Sequence, residues 1–190
     1  MKRGLFHAFA GLSIPIAALF LPQMVMIISV GVVTLIFLLI EVLRWKNPAV
    51  NRLFLLFFKA VLREEEALRL TGASYMLIAS LIAVSAFPRD IAVLALSFLA
   101  VGDPLATIIG QRWGRKRLFG KTLEGDLACF VSCIAIGFVF QQVGVDVPWP
   151  IFLLGALSAT VAQVVSLPIN DNLTIPLFAG LIMRLAIIPI

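Results

Sequence analysis

The sequence predicts an all-α fold: a polytopic transmembrane helical bundle of about seven spans, with one further amphipathic helix at the membrane interface. Three observations predict it. Of 190 residues, 62% are hydrophobic and only 13% are charged, against roughly half and a quarter in a soluble domain. The apolar residues gather into runs long, or nearly long, enough to cross a bilayer. When those runs alternate across a membrane, almost all Lys and Arg fall on one side. The formal net charge of +5 would suggest nucleic acid in a soluble protein. Here the basic residues flank apolar runs and read first as topology determinants.

The runs cover 5–21, 24–43, 70–87, 90–110, 125–142, 149–168 and 174–190. Pro22, Pro88 with Asp90, and the stretch from Asp146 to Pro150 separate several of them. The start, Met1-Lys2-Arg3 followed by apolar residues, resembles the beginning of a signal peptide. It lacks a convincing cleavage site followed by a soluble domain, so it is read as a retained helix. From Arg44 to Arg69 the pattern changes: the run Leu53 to Phe58 is too short to cross and is set among Arg52, Lys59 and Arg63. That mixture predicts the interfacial helix. From Gln111 to Asp126 the chain is rich in Gly, Lys and Arg.

With the N-terminus in the cytoplasm, all of the 15 Lys and Arg except Arg89 and Arg184 fall at cytoplasmic ends and loops. The expectation is N-terminus in, C-terminus out. No internal repeat or linker divides the chain, so residues 1–190 are read as a single integral membrane catalytic domain. Cys129 and Cys133 lie one helical turn apart, which suits neither a disulfide nor a metal site, and are expected to be small buried residues.

A charged side chain at bilayer depth costs roughly 2.5–3.5 kcal/mol on insertion scales, so each one needs a reason. His7 lies in the first run, as either an interfacial polar residue or a functional one. Glu41 and Arg44 close the second at i and i+3, where a structural ion pair is the simplest reading. Asp103, followed by Pro104, predicts a local break in the fourth run, tolerated only where it is buried in protein or lines a cavity. Asn170, Asp171 and Asn172, between Pro168 and Pro176, predict a second break. Alternation puts all of these at cytoplasmic helix ends. Between them, Gly110, Gly114 and Gly120 permit close backbone approach, and Arg112, Arg115, Lys116, Arg117 and Lys121 supply positive charge. Together they suit a polyphosphate. Aspartates nearby would hold Mg²⁺ against the same phosphates.

The run Gly102-Asp103-Pro104 through Gly110, Gly114, Lys121, Leu123, Glu124 and Gly125 resembles the central motif of the CTP-dependent lipid kinases. These are the dolichol, phytol and farnesol, and diacylglycerol kinases, related to the phosphatidate cytidylyltransferases. Asn170-Asp171-Asn172-Leu173-Thr174-Ile175-Pro176 is similar to that family's late Asp-Asp-Asn-Leu-Thr-hydrophobic-Pro motif. Lys2-Arg3 to His7 and Gly11 resembles its basic-x-x-x-His opening, and Glu41 to Arg44, Glu66 and Gly72 to Tyr75 sit where similar residues occur. Two departures stand out. Asn170 replaces a carboxylate, and Asp126 stands where a small residue such as serine is usual.

The resemblance implies phosphorylation of a membrane lipid alcohol by CTP with Mg²⁺. Asp103 and Asp171 would hold the metal, and Gly110, Arg112, Gly114, Arg115, Lys121 and Asn172 would bind the nucleotide. Glu124 would orient Lys121 or a metal-bound water, and His7 or an aspartate would take the proton. Glu41, Arg44, Asn170 and Asp126 would support the site. Expected partners are the lipid and a nucleoside triphosphate, with no nucleic acid and homodimerisation left open. A phosphatidate cytidylyltransferase needs the same metal and basic loop, but its longer carboxy-terminal His-Gly-Gly signature is not found. A non-catalytic transporter or scaffold is the third reading, disfavoured by the absence of a repeat.

Overall fold

The computed structural model describes residues 2–58, 62, 69–165 and 169–187. Among them are eight helices and one short hairpin: α1 (Lys2–Phe20), α2 (Gln23–Lys46), α3 (Pro48–Phe58), α4 (Gly72–Ala86), α5 (Arg89–Trp113), β1 (Arg117–Leu118), β2 (Lys121–Thr122), α6 (Leu123–Gln142), α7 (Trp149–Val165) and α8 (Asp171–Ile187). Lys59, Arg63, Glu66 and Pro168 lie outside the described residues, as do the side chains of Lys2 and Arg3.

Each expected apolar run coincides with a helix, and α3 falls in the stretch read as amphipathic. The number of spans is a different matter. Among the described residues, only α2, α5 and α6 are long and apolar enough to cross a membrane by length and composition. Helix α4 has 15 residues and α7 has 17, rises of about 22 and 25 Å against a hydrocarbon core of about 30 Å. Helix α4 lies inside the expected run 70–87, and its ends are set by caps that apolarity does not mark. Thr71 caps the start of α4 by accepting from the Ser74 amide, and Phe87 ends it in an extended conformation.

Helix α5 is the axis of the bundle, packing against α1, α4, α6, α7 and α8. Ile91 through Ala100 are all buried, as expected of a helix that is apolar all round. Of its most apolar window 72% is buried, against 22% for α2. Helix α2 turns Met24, Ile28, Val32, Leu35 and Leu39 outward, and only α3 and α4 pack extensively against it.

Hydrocarbon gives helices no hydrophobic drive to associate, so small residues at the contacts matter. A Cβ on Gly11 would lie 2.8 Å from the Ala100 side chain, and one on Gly102 would lie 2.9 Å from both the Cys129 and Cys133 sulfurs. Both cysteines are free and buried.

At one end of the bundle, arginines close helix C-termini whose carbonyls have no intrahelical donor. Arg89 Nε donates to the Ala18 carbonyl at 2.6 Å, and the same guanidinium donates to Leu19. Arg184 donates to the Ala86 carbonyl at the end of α4. Alternation puts Arg89 in an outer loop and Arg184 inside the last run. They serve as caps, which explains their presence away from the basic end.

Gly180 gives a direct test of this packing. A Cβ there would lie 2.2 Å from the buried Phe87 ring, whereas one on Gly31 meets nothing closer than 3.7 Å. Gly180→Ala is expected to lose about 1–3 kcal/mol in thermal unfolding in detergent, and Gly31→Ala to lose little.

Candidate active site

The opposite end gathers the polar residues, and a chain of contacts ties it together. Helix α1 lies along α5 so that a Cβ on Gly4 would meet Pro104 and Ile108, while Gly11 meets Ala100. His7 shares that face of α1 by its i+3 and i+4 spacing, which sets it level with Asp103. Glu41 of α2 accepts from the Thr71 amide at 3.0 Å and from Ser74 Oγ at 2.8 Å. Asn172 of α8 donates its side-chain amide to the Gly72 carbonyl at 2.8 Å. Lys121 Nζ lies 2.9 Å from Asp171 Oδ2. The ends of α1, α2, α4, α5, α6 and α8 therefore converge, as alternation required.

Neither expected helix break takes the form expected. Helix α5 runs through Pro104 without interruption. Proline frees the carbonyl four residues back, that of Ala100, and α1 covers this stretch at Gly11. Burial against protein is the condition under which lipid tolerates it. In the late motif, α8 starts at Asp171 rather than 174. Asn170 Oδ1 accepts from the Asn172 amide at 3.0 Å, and its carbonyl accepts from Leu173 and Thr174. Asn170 is thus an N-cap, and Asp171 follows in the first turn, where the helix dipole favours negative charge.

The basic segment forms a two-residue β-hairpin, with Arg117 opposite Thr122 and Leu118 opposite Lys121. Phe119 (φ 49°) and Gly120 (φ 87°) both take positive φ, the signature of a type I′ turn. A phenylalanine is an unusual residue there. The other glycines do not leave an empty cradle. A Cβ on Gly110 would lie 2.5 Å from Thr122 Oγ1, one on Gly114 would lie 2.5 Å from Thr122 Cγ2, and one on Gly125 would lie 2.9 Å from Thr122 Oγ1. Thr122 fills the space that the sequence suggests for phosphate, and its hydroxyl caps α6 by accepting from the Gly125 amide at 3.3 Å. A threonine just before a helix is a recognisable cap signal, and this role was not anticipated. Gly110 and Gly114 therefore seat the hairpin on α5.

The remaining expected residues divide. Glu124 accepts from the Lys116 amide at 3.4 Å, while the described acid partner of Lys121 is Asp171. Arg112, Arg115, Lys116 and Arg117 are exposed, and Arg112 lies over the Trp113 ring at 5.0 Å. Asp103 is half-buried in α5. Asp126 is 5% exposed, and neither of its carboxylate oxygens has a hydrogen-bond partner. Among the described residues, no three His, Cys, Asp or Glu side chains stand together as a metal site.

Beside this end lies a cavity of about 520 Å³ bounded by α1, α2, α3 and α4. His7, Thr71, Gly72 and Asn172 line part of it, and Ile14, Ala17, Leu21, Met26, Val30 and Met76 line much of the rest. Phe37, Phe54 and Phe58 form its aromatic side, with ring centroids 4.8–6.3 Å apart. The Glu41–Arg44 pair braces this side. Its 2.6 Å contact has both side chains at 0% exposure, Arg44 donates to the Arg69 carbonyl at 2.8 Å, and its guanidinium lies 4.9 Å from the Phe54 ring centroid.

No family model matches the chain, and no solved structure matches it. Among curated proteins, an uncharacterized protein of Rickettsia prowazekii is 29% identical over 182 residues, covering 93% of this chain and 89% of the relative. CTP-dependent diacylglycerol kinase 1 of Schizosaccharomyces pombe is 26% identical over 160 residues, 76% of this chain and 73% of the relative. A probable chloroplastic phytol kinase of Glycine max is 32% identical over 152 residues, 71% of this chain and 52% of the relative. The chain thus spans about half of that plant protein. These relatives bear out the resemblance carried by the motifs: the chain is related to the CTP-dependent lipid kinases.

The brace should be testable by stability alone. Glu41→Gln leaves Arg44 charged, buried and unneutralised, which is expected to cost about 3–5 kcal/mol in detergent melts. The double change Glu41→Met with Arg44→Met should cost less than Glu41→Gln, because no uncompensated charge remains.

Proposed function

We propose that this chain transfers the γ-phosphoryl group of CTP to the hydroxyl of a membrane lipid alcohol. The observation that carries the reading is an adjacency. Asp171 pairs with Lys121 of the basic hairpin, and the next residue, Asn172, lines the apolar cavity. A phosphate-binding element and a lipid-sized space therefore meet at one turn of helix.

In this reading the lipid tail lies in the cavity, with its hydroxyl near His7, Thr71 and Asn172. Lys121, Arg112 and Arg115 neutralise the triphosphate. Asp103 and Asp171 are the groups that would hold Mg²⁺. The residues present fit such a cation: it asks for one or two carboxylates plus phosphate oxygens, and Asp126 adds carboxylate oxygens that no described hydrogen bond satisfies. When bound, the cation would offset charge on the phosphates. The lipid oxygen attacks the γ-phosphorus, the bond from that phosphorus to its bridging oxygen breaks, and CDP leaves. The hydroxyl proton passes to His7 or to an aspartate. Because phosphoryl transfer is mostly positioning and charge stabilisation, the hairpin's attachment to α8 matters as much as any single group. Arg112 to Lys121 at this end supports a cytoplasmic site under the positive-inside rule, and the shorter apolar helices support a seven-span arrangement with some tilting or local thinning of the bilayer.

With purified protein in detergent, label from γ-phosphate CTP is expected in a lipid alcohol such as phytol, a polyprenol or diacylglycerol. Incorporation of the α-label and cytidine into phosphatidate instead would overturn the kinase reading. Asp103→Asn is expected to lower turnover by about 100-fold or more, the scale of losing a transition-state charge partner; unchanged turnover would remove Asp103 from the mechanism. Ser29 lines the cavity and is exposed, so Ser29→Phe should narrow it without disturbing the core. KM for the lipid should rise while KM for CTP stays unchanged.

A further inference from the structure

Asp126 is the least satisfied acid among the described residues of this end. It lies in the first turn of α6, is 95% removed from solvent, and has two carboxylate oxygens without a hydrogen-bond partner. A carboxylate so placed is costly unless a cation or donors compensate it. Position in the first helical turn offers dipole stabilisation, but no described amide donates to it. The cation within electrostatic range is Lys121, whose ammonium is already hydrogen-bonded to Asp171 at 2.9 Å. One ammonium therefore serves two acids from two helices.

The chemistry of α8 sharpens this imbalance. Asn170 is uncharged, and its side-chain oxygen is used on the Asn172 amide. The N-terminus of α8 thus offers one carboxylate, Asp171, to any cation. Asp126, which shares the Lys121 ammonium with Asp171, adds a carboxylate to the two, Asp103 and Asp171, already assigned to the cation.

We propose that Asp126 is a ligand for a divalent cation, shared with Asp171, and that Lys121 holds the place of that cation until the triphosphate draws the ammonium away. This deepens the proposed function and rests on it for the nucleotide. Carboxylates with phosphate oxygens completing the shell are the usual arrangement for Mg²⁺. It also gives Lys121 two successive roles, as counter-charge to the acids before nucleotide binding and to the phosphates after it.

The test uses the full chain in detergent and Mn²⁺ as the probe, with free Mn²⁺ read by electron paramagnetic resonance, first without nucleotide and then with CTP. Asp126→Asn should weaken Mn²⁺ binding by at least about tenfold, the lower range for loss of a group supporting a metal site. Asp126→Glu should retain part of it. Lys121→Met, which removes the competing ammonium, should tighten binding in the absence of CTP. Wild-type affinity in Asp126→Asn, or unchanged or weaker affinity in Lys121→Met, would overturn the proposal. The second variant keeps the test decisive should Asp126→Asn fail to fold. Phosphorylation of no lipid alcohol alongside the expected Mn²⁺ behaviour would overturn the kinase reading and leave the cation site standing.

Discussion

Hydrocarbon cannot solvate a charge, and that constraint organises the protein around one end of its bundle. Two ionic contacts at that end tie segments together: Glu41, paired with Arg44 on α2, also accepts from the start of α4, and Lys121 of the hairpin pairs with Asp171 of α8. The Glu41–Thr71 and Lys121–Asp171 contacts join segments far apart in sequence, so contacts that satisfy charge also fix where helix ends meet. The buried length of α5 supplies a rigid axis on which those ends are hung. At the other end, Arg89 and Arg184 turn to backbone carbonyls instead and close helix termini. The two ends thus use cations differently, one to cap helices and the other to bring acids together.

Much of this was legible from patterning. The apolar runs mark α1, α2 and α4 to α8, because burial in lipid or protein demands apolarity over nearly the whole helix. What they do not mark is where a helix begins or ends. Polar caps such as Thr71 and Asn170 decide that, and a capping side chain reads as an interruption until its hydrogen bond is seen. Pro104 misleads in a similar way: its lost hydrogen bond is real, but α1 covers the site and the helix continues. Charge alternation indicated that His7, Glu41, Asp103 and Asp171 lie at one end, since that follows from helix direction alone.

The hairpin was not legible. Its tight turn places Phe119 at positive φ, where Asn or Gly is the ordinary choice, so local rules give no turn there. The glycines around it were read as space for phosphate because glycine implies close approach without naming the partner. The partner is Thr122, a side chain of the same segment. The motif residues therefore form two sets. Lys121 and Asp171 present charge, whereas Gly110, Gly114, Gly125 and Thr122 hold that charge at a set height on α5.

The cavity between α1 and α2 also bears on how turnover would be directed. The two helices are joined by only Leu21 and Pro22, and they make few contacts with each other. The space between them is therefore a slot, lined largely by apolar side chains. In the proposed function an uncharged lipid would enter this slot from the plane of the bilayer, so its supply would be set by its abundance in the membrane and not by its solubility in water. Once its head carries a phosphate, retreat into the slot would mean dragging that charge past Ile14, Ala17 and Val30. In the proposed reaction the wedge would then act as a one-way valve: neutral molecules would pass inward along its flank, and charged ones would be driven out at its mouth.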